Sequence, residues 1–124
     1  MPNLFLVMIG GAIGAGLRYG IALAGPRPDG GFPWATLIVN LAGSLCAGLL
    51  LGLLLSRGQG GDPWRLFLGV GLLGGFTTFS AFSAETAELL QQGQLFLAGL
   101  YMLASLLGAL GLVFVGLWLA RVAT

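Results

Sequence analysis

Four long stretches of this chain are almost free of charge, and together they occupy nearly all of it. A membrane helix needs about 20 apolar residues to cross a hydrocarbon core of roughly 30 Å. The first run is uncharged from Met1 to Leu17 and stays apolar past Arg18 to Ala24. The second runs from Phe32 to Ser56 without a charge. The third begins near Trp64 and reaches about Gln91, with Glu85 and Glu88 in its second half. The fourth runs from Leu95 to Ala120 and ends at Arg121. The separators Gly25 to Gly31, Arg57 to Pro63 and Gln91 to Gln94 are rich in glycine, proline and polar residues, which is turn chemistry. The pattern predicts an all-α membrane protein with helices over 3–25, 32–56, 64–91 and 95–121. They form a single four-helix transmembrane domain over 1–124.

Composition agrees and excludes the alternatives. Only 7% of the 124 residues are charged, against roughly 25% in an ordinary soluble domain. Such a chain cannot cover a core with polar surface, so a soluble globular domain is excluded. A net charge of +1 from five scattered arginines makes no basic patch, so nucleic acid is not expected as a partner. Cys46 is the single cysteine and there is no histidine, which argues against a disulfide framework or a transition-metal enzyme. The first run lacks a basic segment before it, so a retained helix is expected rather than a signal peptide. Four spans of about 22 residues take about 88 of the 124 positions, leaving only short loops, so function must lie within the bilayer. Membrane lipid is therefore a partner.

Orientation is poorly marked. With four spans, Arg57, Arg65 and Arg121 fall on one side, while Arg27 and the helix-end Arg18 fall on the other. So even a balance gives hardly any positive-inside bias. It fits either a weak signal in a charge-poor protein or a chain that inserts both ways and pairs head to tail. Glycines crowd the spans, among them Gly10, Gly14, Gly48 and Gly116, as close helix packing in lipid requires.

The most informative stretch is Gly74-Gly75-Phe76-Thr77-Thr78-Phe79-Ser80-Ala81-Phe82-Ser83, at the middle of the third span. Two glycines followed by two β-branched threonines make a poor helix. A break at that depth survives only inside protein or beside a cavity. Its freed carbonyls would be hard-oxygen ligands for a cation such as Na⁺. A continuous helix with threonines bonded back to preceding carbonyls is the other reading. Phe79 and Phe82 lie three apart, interleaved with Ser80 and Ser83. Their ring edges are positive and can meet a small anion in a dry space. Thr36, Asn40 and Ser44 put one polar group per turn on a face of the second span, and Tyr101 and Ser105 do so on the fourth. Asn40 is either interhelical glue or an NH₂ donor for an anion. Arg18 and Glu85 are the deep charges, as a pair or as separate vestibule charges. Donor-rich stripes with almost no formal charge suit passage of a desolvated anion.

These stretches resemble the Fluc (CrcB) fluoride channel family. Gly10 to Tyr19, with its glycine run and Arg18, resembles the family's first-helix signature. Thr36 to Gly43 resembles its second, and Gly74 to Phe82 its third. The resemblance implies a passive, fluoride-selective, non-enzymatic channel that exports cytoplasmic fluoride across the cell (inner) membrane. It implies an antiparallel, dual-topology homodimer with two pores. A structural Na⁺ would sit on the two-fold axis, held by main-chain carbonyls of Gly74 and Thr77 from each subunit. Phe79 and Phe82 would be the pore phenyls, Asn40 the fluoride-contacting amide, and Tyr101 with Ser105 the fourth-helix polar track. Ala109 continues that face where similar proteins can have a second serine, and Ala81 stands where the family often has threonine or serine. The alternative is a small proton-coupled multidrug exporter, also of four helices. Such exporters carry an acid in the middle of the first helix, and residues 1–28 here contain none.

Overall fold

The computed structural model describes residues 2–25, 31–57 and 63–123, and all of its regular structure is helical. Helix α1 is Pro2–Ala24 and α2 is Trp34–Arg57. A π-helix, Arg65–Leu73, runs into the short α3, Gly74–Phe76. Then come α4, Ser80–Gln91, and α5, Leu95–Ala123. Counting Arg65–Gln91 as one span, four segments are long and apolar enough to cross a membrane, so this is a multi-pass membrane protein. Arg27 and the loop stretches 26–30 and 58–62 lie outside the described residues.

Two helix pairs build the molecule. In the first, α1 lies along the π-helix and α3 in parallel, with Val7 beside Gly71 and Gly14 beside Leu72 and Phe76. A methyl group on Gly14 would strike the Leu72 carbonyl, so only glycine permits this approach. In the second, α2 packs along α5, with Gly48 against the Val113 carbonyl and Gly116 against that of Leu45. The pairs meet where the Thr77 methyl packs onto Gly43 of α2. Helix α4 then lies against the start of α5.

The π-helix is a departure from the plain helix expected at 64–73. The Gly74 N–H reaches the Gly69 carbonyl five residues back. Gly69 and Gly71 put no side chains on this wider turn, and Gly71 lies directly against α1. The α4–α5 connection is a Schellman turn. Gln94 N–H bonds Leu89 O at 2.9 Å and Gly93 N–H bonds Leu90 O at 3.1 Å. Gly93 takes φ 77°, which costs a glycine little.

Burial is inverted relative to a soluble protein. Val39, Ala98, Tyr101 and Ala120 are fully buried, whereas Phe5, Phe96, Leu107, Phe114 and Trp118 face outward. An outer surface of large apolar side chains suits lipid or a second protein surface, not water. Helix α5 is apolar all round and, at 29 residues, roughly 43 Å long, which exceeds a 30 Å core.

Candidate functional site

The site is organised by what happens to the backbone between α3 and α4. Thr77 still closes the helix behind it. Its N–H and its hydroxyl both donate to Leu73 O at 2.9 Å. It then turns to φ −86°, ψ 159°, an extended conformation, and helical structure resumes at Ser80. The intervening polar groups need new partners, because an unpaired backbone group in an apolar medium is costly.

Three side chains supply them. Asn40 Oδ1 accepts the Thr78 N–H at 2.8 Å, and Asn40 Nδ2 donates to Thr78 O at 2.9 Å. The Thr78 hydroxyl accepts the Ala81 N–H at 3.1 Å and caps α4, with Ser80 Oγ 3.3 Å away. Arg18 Nε donates to Gly75 O at 3.2 Å. The main-chain oxygens of Gly74 and Thr77 have no donor among the described residues. They are available as hard-oxygen ligands. No cluster of histidine, cysteine and carboxylate side chains that could hold a metal occurs among the described residues.

A groove of about 670 Å³ opens beside this segment. It gathers Asn40, Ser44, Gly74, Thr77, Thr78, Phe79, Phe82 and Ser105, and α5 completes its wall with Leu106, Ala109, Leu110 and Val113. None of the lining residues is formally charged. Ser105 Oγ is buried and has no hydrogen-bond partner among the described residues. Phe79 stands 78% exposed at the lip, with its ring centroid 5.7 Å from that of Phe82. Ala109 presents only a methyl where a further hydroxyl would extend the polar wall.

The rings continue inward. Phe82 lies 5.0 Å from Tyr101, which meets Phe32 edge-on at 5.5 Å. Tyr101 is fully buried and its hydroxyl donates to Glu85 Oε1 at 3.1 Å. Thr36 also reaches that hydroxyl. Tyr101, Thr36 and Glu85 therefore form a separate polar cluster behind Phe82, not part of the groove lining. Ser80 and Ser83 are exposed and outside that lining too.

Arg18 and Glu85 are held by different partners. Arg18 is level with Gly75, and Glu85 lies ten residues further along, on the order of 15 Å at helical rise. Ser44, expected on the polar stripe of the second span, lines the groove, and so does Thr78, to which no site role was assigned. Thr78 was detectable in principle: a threonine three residues before Ala81, next to a weak helix segment, is a capping signal.

Helices of membrane length, with their polar groups turned into an uncharged groove between them, define a small multi-pass membrane protein whose chemistry lies between its spans. Residues 5–117 match the family described as CrcB-like protein, Camphor Resistance (CrcB), and the chain belongs to that family. Among its relatives is the "Fluoride-specific ion channel FluC" of Sphingopyxis alaskensis. That protein is 57% identical over 111 residues, covering 89% of this chain and 88% of the relative. The protein of the same name from Hyphomonas neptunium is 50% identical over 123 residues, covering 98% and 97%. That from Mesorhizobium japonicum is 46% identical over 126 residues, covering 98% of each.

Proposed function

We propose that this protein is a passive fluoride channel, not an enzyme. The observation that carries the reading is the groove itself. One uncharged wall combines an amide, hydroxyls and two adjacent phenyl rings. Family membership and the printed names of the relatives support the same ion.

The chemistry is that of a desolvated anion. Fluoride must exchange its hydration shell for donors, without meeting a fixed cation that would trap it. Asn40 keeps a second N–H beyond the one it gives Thr78, and Ser105 Oγ has a hydrogen to donate. The positive edges of Phe79 and Phe82 supply weaker contacts where no hydroxyl stands. Ser80, Ser83, Thr36 and Tyr101 flank this path, with Glu85 on Tyr101 behind Phe82 and Arg18 on the Gly75 carbonyl.

The finer reading is an antiparallel, dual-topology homodimer in the inner membrane, with two pores, exporting cytoplasmic fluoride. The exposure of Phe79 and the open groove support it, because a second copy would close both. A structural Na⁺ fits the donor set, since the oxygens of Gly74 and Thr77 are hard, neutral and lack donors. Two chains would provide four such oxygens, and the ion would supply charge to offset their dipoles.

The test is fluoride efflux from liposomes carrying the purified protein, read with a fluoride electrode after the membrane potential is collapsed. Rapid fluoride release with no matching chloride release is expected. Vesicles that retain fluoride as protein-free ones do would refute the channel.

A further inference from the structure

We propose that Arg18 is a positioning residue for the proposed cation site, resting on the reading above, and that its charge is not a vestibule charge. Two neighbouring helices take freed backbone groups of the break. Asn40 of α2 holds both polar groups of Thr78, and Arg18 of α1 holds the oxygen of Gly75. Gly75 lies between Gly74 and Thr77, whose oxygens have no donor among the described residues. In a continuous helix the Gly75 oxygen would take the N–H of residue 79, four positions on. Arg18 Nε replaces that lost donor from a neighbouring helix.

The consequence is selective. Arg18 and Asn40 occupy the oxygens of Gly75 and Thr78, while those of Gly74 and Thr77 have no donor among the described residues. A Gly75 oxygen without a donor would seek one nearby or turn toward the cation itself, and either movement drags Gly74 and Thr77 with it. The Gly14 contact that brings α1 against Leu72 and Phe76 fixes the distance over which Arg18 acts. Arginine suits the task because its Nε–H points sideways from a planar group and stays protonated. Arg18 is half-buried and its Nε is bonded to main chain, which holds the guanidinium against the break.

The experiment compares the parent protein with Arg18→Gln and Arg18→Lys in liposomes. Fluoride efflux is measured while Na⁺ is titrated against N-methylglucamine, at low and at high ionic strength. The positioning role predicts that both variants need about tenfold more Na⁺ for half-maximal flux, the equivalent of one lost hydrogen bond. High Na⁺ should restore most of the flux, and the shift should be the same at both ionic strengths. A loss confined to low ionic strength, with an unchanged Na⁺ requirement, would mark a vestibule charge and overturn the proposal. If the parent conducts fluoride without any Na⁺ requirement, the cation reading and this proposal fail while the channel stands. If the parent does not conduct, the channel reading fails first.

A second measurement needs no variant. With nitrogen-labelled arginine and carbon-labelled glycine, one arginine Nε–H should exchange slowly and lie close to a glycine carbonyl. Fast exchange of every arginine Nε–H would overturn the proposal.

Discussion

Asn40 commits both ends of its amide to Thr78, and this decides what its replacement would do. Asn40→Asp keeps an acceptor for the Thr78 N–H but sets a negative oxygen against the Thr78 carbonyl. Asn40→Ala leaves both groups unpaired, at about 1–3 kcal/mol each. Both variants should therefore lose stability as well as flux, with denaturation midpoints in detergent falling below the parent's. An Asn40→Asp protein as stable as the parent would show that the amide does not hold the backbone. The phenyl rings separate more cleanly from folding. Phe79 is 78% exposed, so Phe79→Ile removes little packing within the chain while deleting a positive ring edge. Fluoride efflux should fall at least about tenfold, the equivalent of roughly 1.4 kcal/mol, with the variant eluting in detergent at the parent's volume. Phe82→Ile should do the same and also loosen Tyr101, whose ring lies 5.0 Å away. Normal flux in both would remove the rings from the pore.

At the scale of elements, the first and third spans depend on approach between backbones. Gly14 and Gly16 lie on the same helix but differ in what surrounds them. A methyl at Gly14 meets the Leu72 carbonyl and the Phe76 nitrogen, whereas one at Gly16 meets nothing within 4 Å. Gly14→Ala should cost about 1–3 kcal/mol through overpacking. It should also disturb Arg18 and Gly75 one turn on. Gly16→Ala should be neutral or slightly stabilising, because alanine is the better helix former. Paired thermal melts in one detergent check the difference, and equal melting points would contradict the packing. The same elements account for Thr78. Its hydroxyl starts α4, so Thr78→Val should fray Ser80 and Ala81 while leaving α5 intact.

For the whole molecule, the question is how many copies make a working unit and which way they face. A single chain leaves the groove open, with the oxygens of Gly74 and Thr77 lacking a donor among the described residues. If inverted copies complete both features, the C-terminus must occur on both sides of the membrane. In a Cys46→Ser background, Ala123→Cys should react about equally with an impermeant maleimide in intact and in inverted vesicles. Reaction from one side only would overturn dual topology. Replacing Na⁺ with N-methylglucamine should lower flux in the same protein.

Periodicity and composition alone determined the all-helical membrane class, because spans of nearly uncharged residues have no other low-energy environment. They also singled out Gly74 to Ser83, since glycine beside threonine weakens a helix wherever it occurs. Sequence reasoning could not decide between a continuous helix and an interrupted one there. Thr77 does bond back to Leu73 as in the first case, yet its backbone is extended as in the second. Nor could it decide who serves the freed backbone groups. Arg18 and Asn40 are 57 and 38 residues from the groups they bond, and one-dimensional spacing carries no information at such range. The π-helix was equally hidden, and its Gly71 lies directly against α1, a contact that no local pattern announces. The spans were written in hydrophobicity, which is local. The site was decided by hydrogen-bond satisfaction, which depends on the partners that packing brings within reach.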